Sequence, residues 1–304
     1  MKEIFEKSKS FVYRNARPLD LARWNYLFEN GDKQEVVKYL AAYQNPDGGF
    51  ANALEPDCWN LQSTPVQTWV ATRIIEEIGL EDEKHPLITG ILNYLETTPA
   101  FDGCCWNGLN TVPSNNDHPH APWWAFMADA NNNYNPSASL IGFILKYAEK
   151  QAPVYERAAR LLREAGHYFK SHAPLASMHE ISCFVELYDY LKESGAQNLI
   201  DLNALKEGLR QTIREAITFD TARWNVEYCC KPSQFVRDKN SEFYLELREL
   251  CTCECEFIRR QQQEDGTWTV TWNWSEYPEE WAVSKNWWKT DIILKNLKYL
   301  QAFA

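Results

Sequence analysis

Gln44-Asn45-Pro46-Asp47-Gly48-Gly49-Phe50, running on to Leu54-Glu55-Pro56-Asp57, is the stretch that decides the fold. It ends one helical run, forces a turn and supplies an aromatic anchor. It then leads through a polar loop into a second helical run from Thr64. An Asp side chain accepts backbone N–H bonds in a turn, and Gly takes φ > 0 at no steric cost. The Gln is expected to cap free carbonyls at the preceding helix end, and the aromatic ring to staple adjacent hairpins. The pattern recurs as Asp102-Gly103 with Trp106 and as Gln263-Glu264-Asp265-Gly266-Thr267-Trp268, with a fainter copy at Asp220 and Trp224. A turn that recurs between helices is the joint of a repeat.

Outward from the joints, the chain reads as helices throughout. Pro18 opens a helix to about Glu29, Gly31 ends it, and Asp32 with Glu35 forms a capping box for residues 33–44. Ser63-Thr64-Pro65 opens a helix to Gly79 that is apolar over much of its circumference, and such a helix is buried on most sides. Residues 86–96 are amphipathic; 136–150 are apolar; 154–171 are charged and amphipathic; 177–194 are apolar again and end at Gly195. Asp201 caps a charged helix to about Ile217, and 285–299 form the last helix. Residues 229–262 fit least well: an inner and an outer helix are expected there, yet 241–262 has no break. Alternating apolar and amphipathic helices predict an all-α fold, an α/α toroid of about six hairpins in one domain, 1–304.

Composition bounds the function. A net charge of -11 argues against nucleic acid, which needs a basic footprint. No window approaches 18 apolar residues, so no membrane span is expected. With no signal-peptide pattern, the nine cysteines read as reduced thiols in a cytoplasmic protein. The 13 Trp, 15 Tyr and 14 Phe imply heavy aromatic packing or a lined cavity.

Gln44-x-x-Asp47-Gly48-Gly49-Phe50 and Gln263-x-Asp265-Gly266-x-Trp268 resemble the repeat motif of the squalene/terpene cyclases and the protein prenyltransferases. The resemblance implies the toroid and a small molecule, an isoprenoid, bound or transformed in an aromatic-lined central cavity. It departs from that family's chemistry, for the chain has no Asp-x-Asp-Asp run to supply a protonating acid. Prenyltransferases hold zinc with an Asp, a nearby Cys and a distant His, and Asp102-x-Cys104 with His118 or His120 imitates that set. The turn role of Asp102 suffices, so no metal and no cofactor is expected. Cys251, Cys253 and Cys255 cannot converge from one helix, because residues two apart point to different sides.

In such a ring the site belongs to the loops leading into the inner helices: 51–62, 107–135, 173–180, 227–238 and 269–284. The candidate acids and bases are Asp57, Glu55, His118, His120 and Glu180, and the candidate substrate-stacking residues are Trp59, Trp123, Trp124, Trp272, Trp274 and Trp281. Indole faces stabilise carbocations. They also stack on sugars, where two carboxylates share acid and base roles, so a glycoside hydrolase-like enzyme is the alternative. Abundant Asn and His suit sugar hydroxyls. A non-catalytic binding protein or scaffold with a plugged cavity is the third reading. Leu54 to Asp57 has no copy at the other joints, which sets it apart as the place for chemistry.

Overall fold

Proline and polar caps start helices where the sequence places them. The computed structural model describes residues 1–303. In chain order the helices are α1 Lys2–Asn15, α2 Pro18–Phe28, α3 Lys33–Ala41, α4 Pro65–Glu77, α5 Pro86–Thr97 and α6 Tyr134–Tyr147. There follow α7 Pro153–His172, α8 Met178–Ser194, α9 Leu202–Ala216, α10 Tyr244–Gln261 and α11 Pro278–Phe303. Among the described residues there is no β-strand, so the fold is all-α. Asp32 accepts the Gln34 N–H, Thr64 the Gln67 N–H and Ser177 the Glu180 N–H, so three polar caps satisfy first-turn donors.

Three expectations are corrected. Helix α3 stops at Ala41, freeing Gln44 for the joint. Helix α11 starts at Pro278, so Glu279, Glu280 and Trp281 are helical rather than part of a loop reaching 284. Only α10 forms between 229 and 262; the segment before it runs through a short 3-10 turn, Pro232–Gln234. The described residues form eleven α-helices where about six inner and six outer ones were expected.

The chain divides into two compact units: Tyr43–Ala216, and Met1–Ala42 together with the residues from Ile217 onward. Within the first, alternate helices lie side by side. Helix α4 packs on α6 and α6 on α8; α5 packs on α7 and α7 on α9. Helices α6 and α8 are buried almost all round, whereas α7 buries one stripe, Val154, Ala158, Leu161, Leu162, Ala165 and Phe169. A buried carboxylate joins the apolar set: Glu186 of α8 accepts from Trp69 Nε1 at 2.9 Å, Ser139 Oγ at 2.7 Å and Arg73 Nε at 3.0 Å. In the second unit α2 packs on α3, and α1, α2 and α10 each pack on α11.

The joints match residue for residue, in a register that the sequence conceals. Gln44 Nε2 donates to the Gly48 carbonyl at 2.9 Å and to Leu87 O of α5 at 3.2 Å. The residue doing the same at the last joint is Gln262, not Gln263: its Nε2 donates to the Gly266 carbonyl at 3.2 Å and to Ile4 O of α1 at 2.8 Å. The Gln thus ties the turn to a different helix and does not cap the preceding one. Asp47 Oδ1 accepts the Gly49 N–H at 2.9 Å, and Asp265 Oδ1 the Thr267 N–H at 3.0 Å. Phe50 and Trp268 are buried, as staples should be. Gly48 and Gly266 have φ of +88° and +86°, and a Cβ on either would strike a backbone carbonyl, of Gly90 and of Lys7 respectively. Gly103 has φ +101° but open space around it.

Two outcomes follow. Gly48→Ala should cost about 3 kcal/mol or more, because backbone strain and overlap with α5 add, whereas Gly103→Ala should cost about 1–2 kcal/mol from conformation alone. Urea unfolding of both variants checks this difference. In the second unit, burial raises the Glu254 carboxyl above its ordinary value of 4.5, while Ser233 and Lys231 oppose the shift. A raised acid holds its proton more tightly when folded, so its contribution to stability is complete below about pH 4.5 and fades as pH rises through the folded value. Glu254→Gln, which can still accept the Ser233 N–H and donate to its Oγ, should flatten that part of the stability–pH curve.

Candidate functional site

Loop 51–62 is held in a shape its residues do not prefer. Asn52 and Ala53 take φ of +62° and +59°; for Ala this left-handed conformation costs about 1–2 kcal/mol. Gln67 of α4 over-determines it. Its Oε1 accepts the Leu54 N–H at 3.0 Å and its Nε2 donates to the Asn60 carbonyl at 3.3 Å, while the Asn52 N–H reaches the same carbonyl at 2.9 Å. The chain then turns at Glu55-Pro56-Asp57. Glu55 Oε2 accepts the Asp57 N–H at 2.8 Å, and Trp59 Nε1 donates to Pro56 O at 3.2 Å. Glu55 and Asp57 are only 7% and 3% exposed.

Loop 107–135 pairs with this turn. Trp59 N–H donates to Pro119 O at 3.0 Å and Ala121 N–H to Asp57 O at 2.8 Å, with Cys58 opposite His120 in an antiparallel bridge. Alternation along such a pair puts Cys58 and His120 on one face and Asp57 and Trp59 on the other. His120 Nδ1 bonds the His118 carbonyl at 2.6 Å. A carbonyl only accepts, so Nδ1 carries a proton. Burial pushes the Cys58 thiol up to about 12, with the Glu55 and Asp57 charges adding. The structure therefore gathers Glu55, Asp57, His118, His120 and Trp59 on two paired segments.

Three asparagines of this loop are engaged within the protein. Asn115 Oδ1 accepts from Asn60 Nδ2 at 2.9 Å and from Cys58 Sγ at 3.3 Å, and its Nδ2 donates to Trp124 O at 2.9 Å. Asn110 Nδ2 donates to Ala125 O at 2.7 Å, and Asn116 Oδ1 accepts the Phe126 N–H at 2.7 Å. These amides hold the loop's own backbone, which weakens the match to sugar hydroxyls. Trp123 stays partly exposed. Trp124 is buried, and its Nε1 meets no acceptor among the described residues, an uncommon state for a buried donor.

Glu180 stands apart from this cluster. Its Oε1 accepts the Tyr134 N–H at 3.0 Å, so it serves the start of α6 from the first turn of α8. The remaining tryptophans belong to the other compact unit. Trp274 and Trp281 are buried with ring centroids 5.6 Å apart, and Trp272 meets Trp288 edge-on at 5.2 Å. Their rings pack on one another.

A cleft of about 450 Å³ opens beside the Asp102 turn, lined among others by Asp102, Cys104, Cys105, Tyr134, His167 and Tyr168. It brings Asp102 and Cys104 together with His167; His118 does not line it. Among the described residues, no group of three or more His, Cys, Asp or Glu side chains is arranged to hold a metal ion. All nine cysteines are free, with Cys251 and Cys255 buried and Cys253 exposed. No described helix is long and apolar enough to cross a membrane.

Gln67 and Glu186 escaped the sequence reading. Each is a polar residue inside an apolar helix, which is the one signal that pointed to them. Compared with known proteins, the chain matches no family model, no curated protein and no solved structure. Gln67→Ala should cost about 2–3 kcal/mol by stranding the Leu54 N–H and the Asn60 carbonyl, and the Leu54 amide should exchange faster with deuterium.

Proposed function

We propose that the chain is an α/α toroid of the terpene cyclase and prenyltransferase kind. In this reading it is an enzyme that binds and transforms a small molecule at the paired segments around Asp57 and His120. Two layers of alternating helices, α4–α6–α8 and α5–α7–α9, support the architecture, as do two joints that agree residue for residue. One observation carries the function: two carboxylates within three residues of a loop, Glu55 and Asp57, both withdrawn from water. Burial disfavours the charged form of a carboxylate, which is how enzymes bring an acid towards the range where it exchanges protons. Glu55 caps the Asp57 amide, and Asp57 is the group we assign to proton transfer with the ligand. Trp59 shares its face of the bridge and offers an indole to positive charge developing on an isoprenoid-like substrate.

A sugar is the second reading. It is favoured by the partial exposure of Trp59 and Trp123, whose flat faces suit a pyranose ring. Thermal-shift screening against isoprenoid alcohols, isoprenoid diphosphates and oligosaccharides separates the two. A ligand of one class should raise the wild-type Tm. Asp57→Asn should melt within about 2 °C of wild type and lose turnover of that ligand. Unchanged turnover in Asp57→Asn, or no stabilising ligand in any class, would contradict the assignment.

A further inference from the structure

The Asp102 turn carries chemistry that its counterparts lack. After the glycine the other joints continue Gly49-Phe50 and Thr267-Trp268; here the residues are Cys104-Cys105, and one residue more precedes the buried Trp106. Asp102 Oδ1 accepts the N–H of both cysteines, at 2.8 and 2.7 Å, which fixes the backbone of the pair in advance. Both cysteines line the cleft, Cys104 exposed and Cys105 buried at its wall. The Tyr134 hydroxyl lies 3.8 Å from Cys104 Sγ, placed to donate to a sulfur that carries charge.

We propose that Cys104 and Cys105 form a two-thiolate site for a soft monovalent cation of the Cu(I) type, bound in this cleft. Soft thiolates select such ions, and two of them suffice, whereas structural zinc takes four ligands. With no triad of metal-binding side chains arranged among the described residues, a digonal ion is the kind this pair can satisfy. Binding breaks two S–H bonds, forms two S–Cu bonds and releases two protons to water, with no change of oxidation state. The resulting negative charge sits beside the Tyr134 hydroxyl, while both N–H groups of the pair stay committed to Asp102.

The test is anaerobic titration of the full chain with Cu(I) against a colorimetric chelator, with circular dichroism to verify folding. Wild type should retain one Cu(I) per chain, and Cys104→Ser and Cys105→Ser should each weaken retention at least about 100-fold. Cys229→Ser, which alters a thiol remote in sequence, should behave as wild type. Since Cys104 is exposed, Cys104→Ser carries the test even if the buried Cys105→Ser fails to fold. Retention by Cys104→Ser equal to wild type, or an equal loss in Cys229→Ser, would overturn the proposal.

Discussion

Backbone pressed against backbone is the constraint on which this structure depends. At Gly48 the turn approaches Gly90 of α5 so closely that no side chain fits between them, and at Gly266 the turn approaches Lys7 of α1 in the same way. A glutamine amide four residues earlier closes each contact by bonding both the turn's carbonyl and the neighbouring helix. The Asp holds the turn shape, the Gly permits its handedness and the approach, and the buried ring fills the space behind. Each joint thereby fixes where the next helical run must begin.

Features that depend on local chemistry were legible in the chain. Pro18, Pro65, Pro86 and Pro153 each stand at a helix start, because a missing N–H costs nothing in a first turn. Gly195 ends α8 in the left-handed conformation. Features that depend on distant partners were not. Gln261, Gln262 and Gln263 are adjacent, and only the bonds from Gln262 to α1, more than 250 residues away in sequence, reveal which one closes the joint. The start of α11 did carry a signal, Pro278 followed by Glu279 and Glu280, but the neighbouring tryptophans disguised it as a loop.

The candidate site shows the same division. Leu54 to Asp57 stands out because it lacks a copy at the other joints, and the structure gives it a tightly held turn paired to His120. Asn110, Asn115 and Asn116 of loop 107–135 look like ligand contacts in sequence, yet each bonds the loop's own backbone, since a long irregular segment must satisfy its own amides. Glu180, chosen as a possible acid, serves the start of a neighbouring helix. What remains is a pair of buried carboxylates, Glu55 and Asp57, on the one turn that the other joints do not repeat.

The most direct measurement is an electron-density map of the protein crystallised with the ligand that stabilises it most. That ligand is expected against the Glu55–Asp57 turn and the Trp59 indole, within hydrogen-bond distance of the Asp57 carboxylate. Ligand density remote from both paired segments, with the Asp57 carboxylate fully engaged by the protein's own donors, would contradict it.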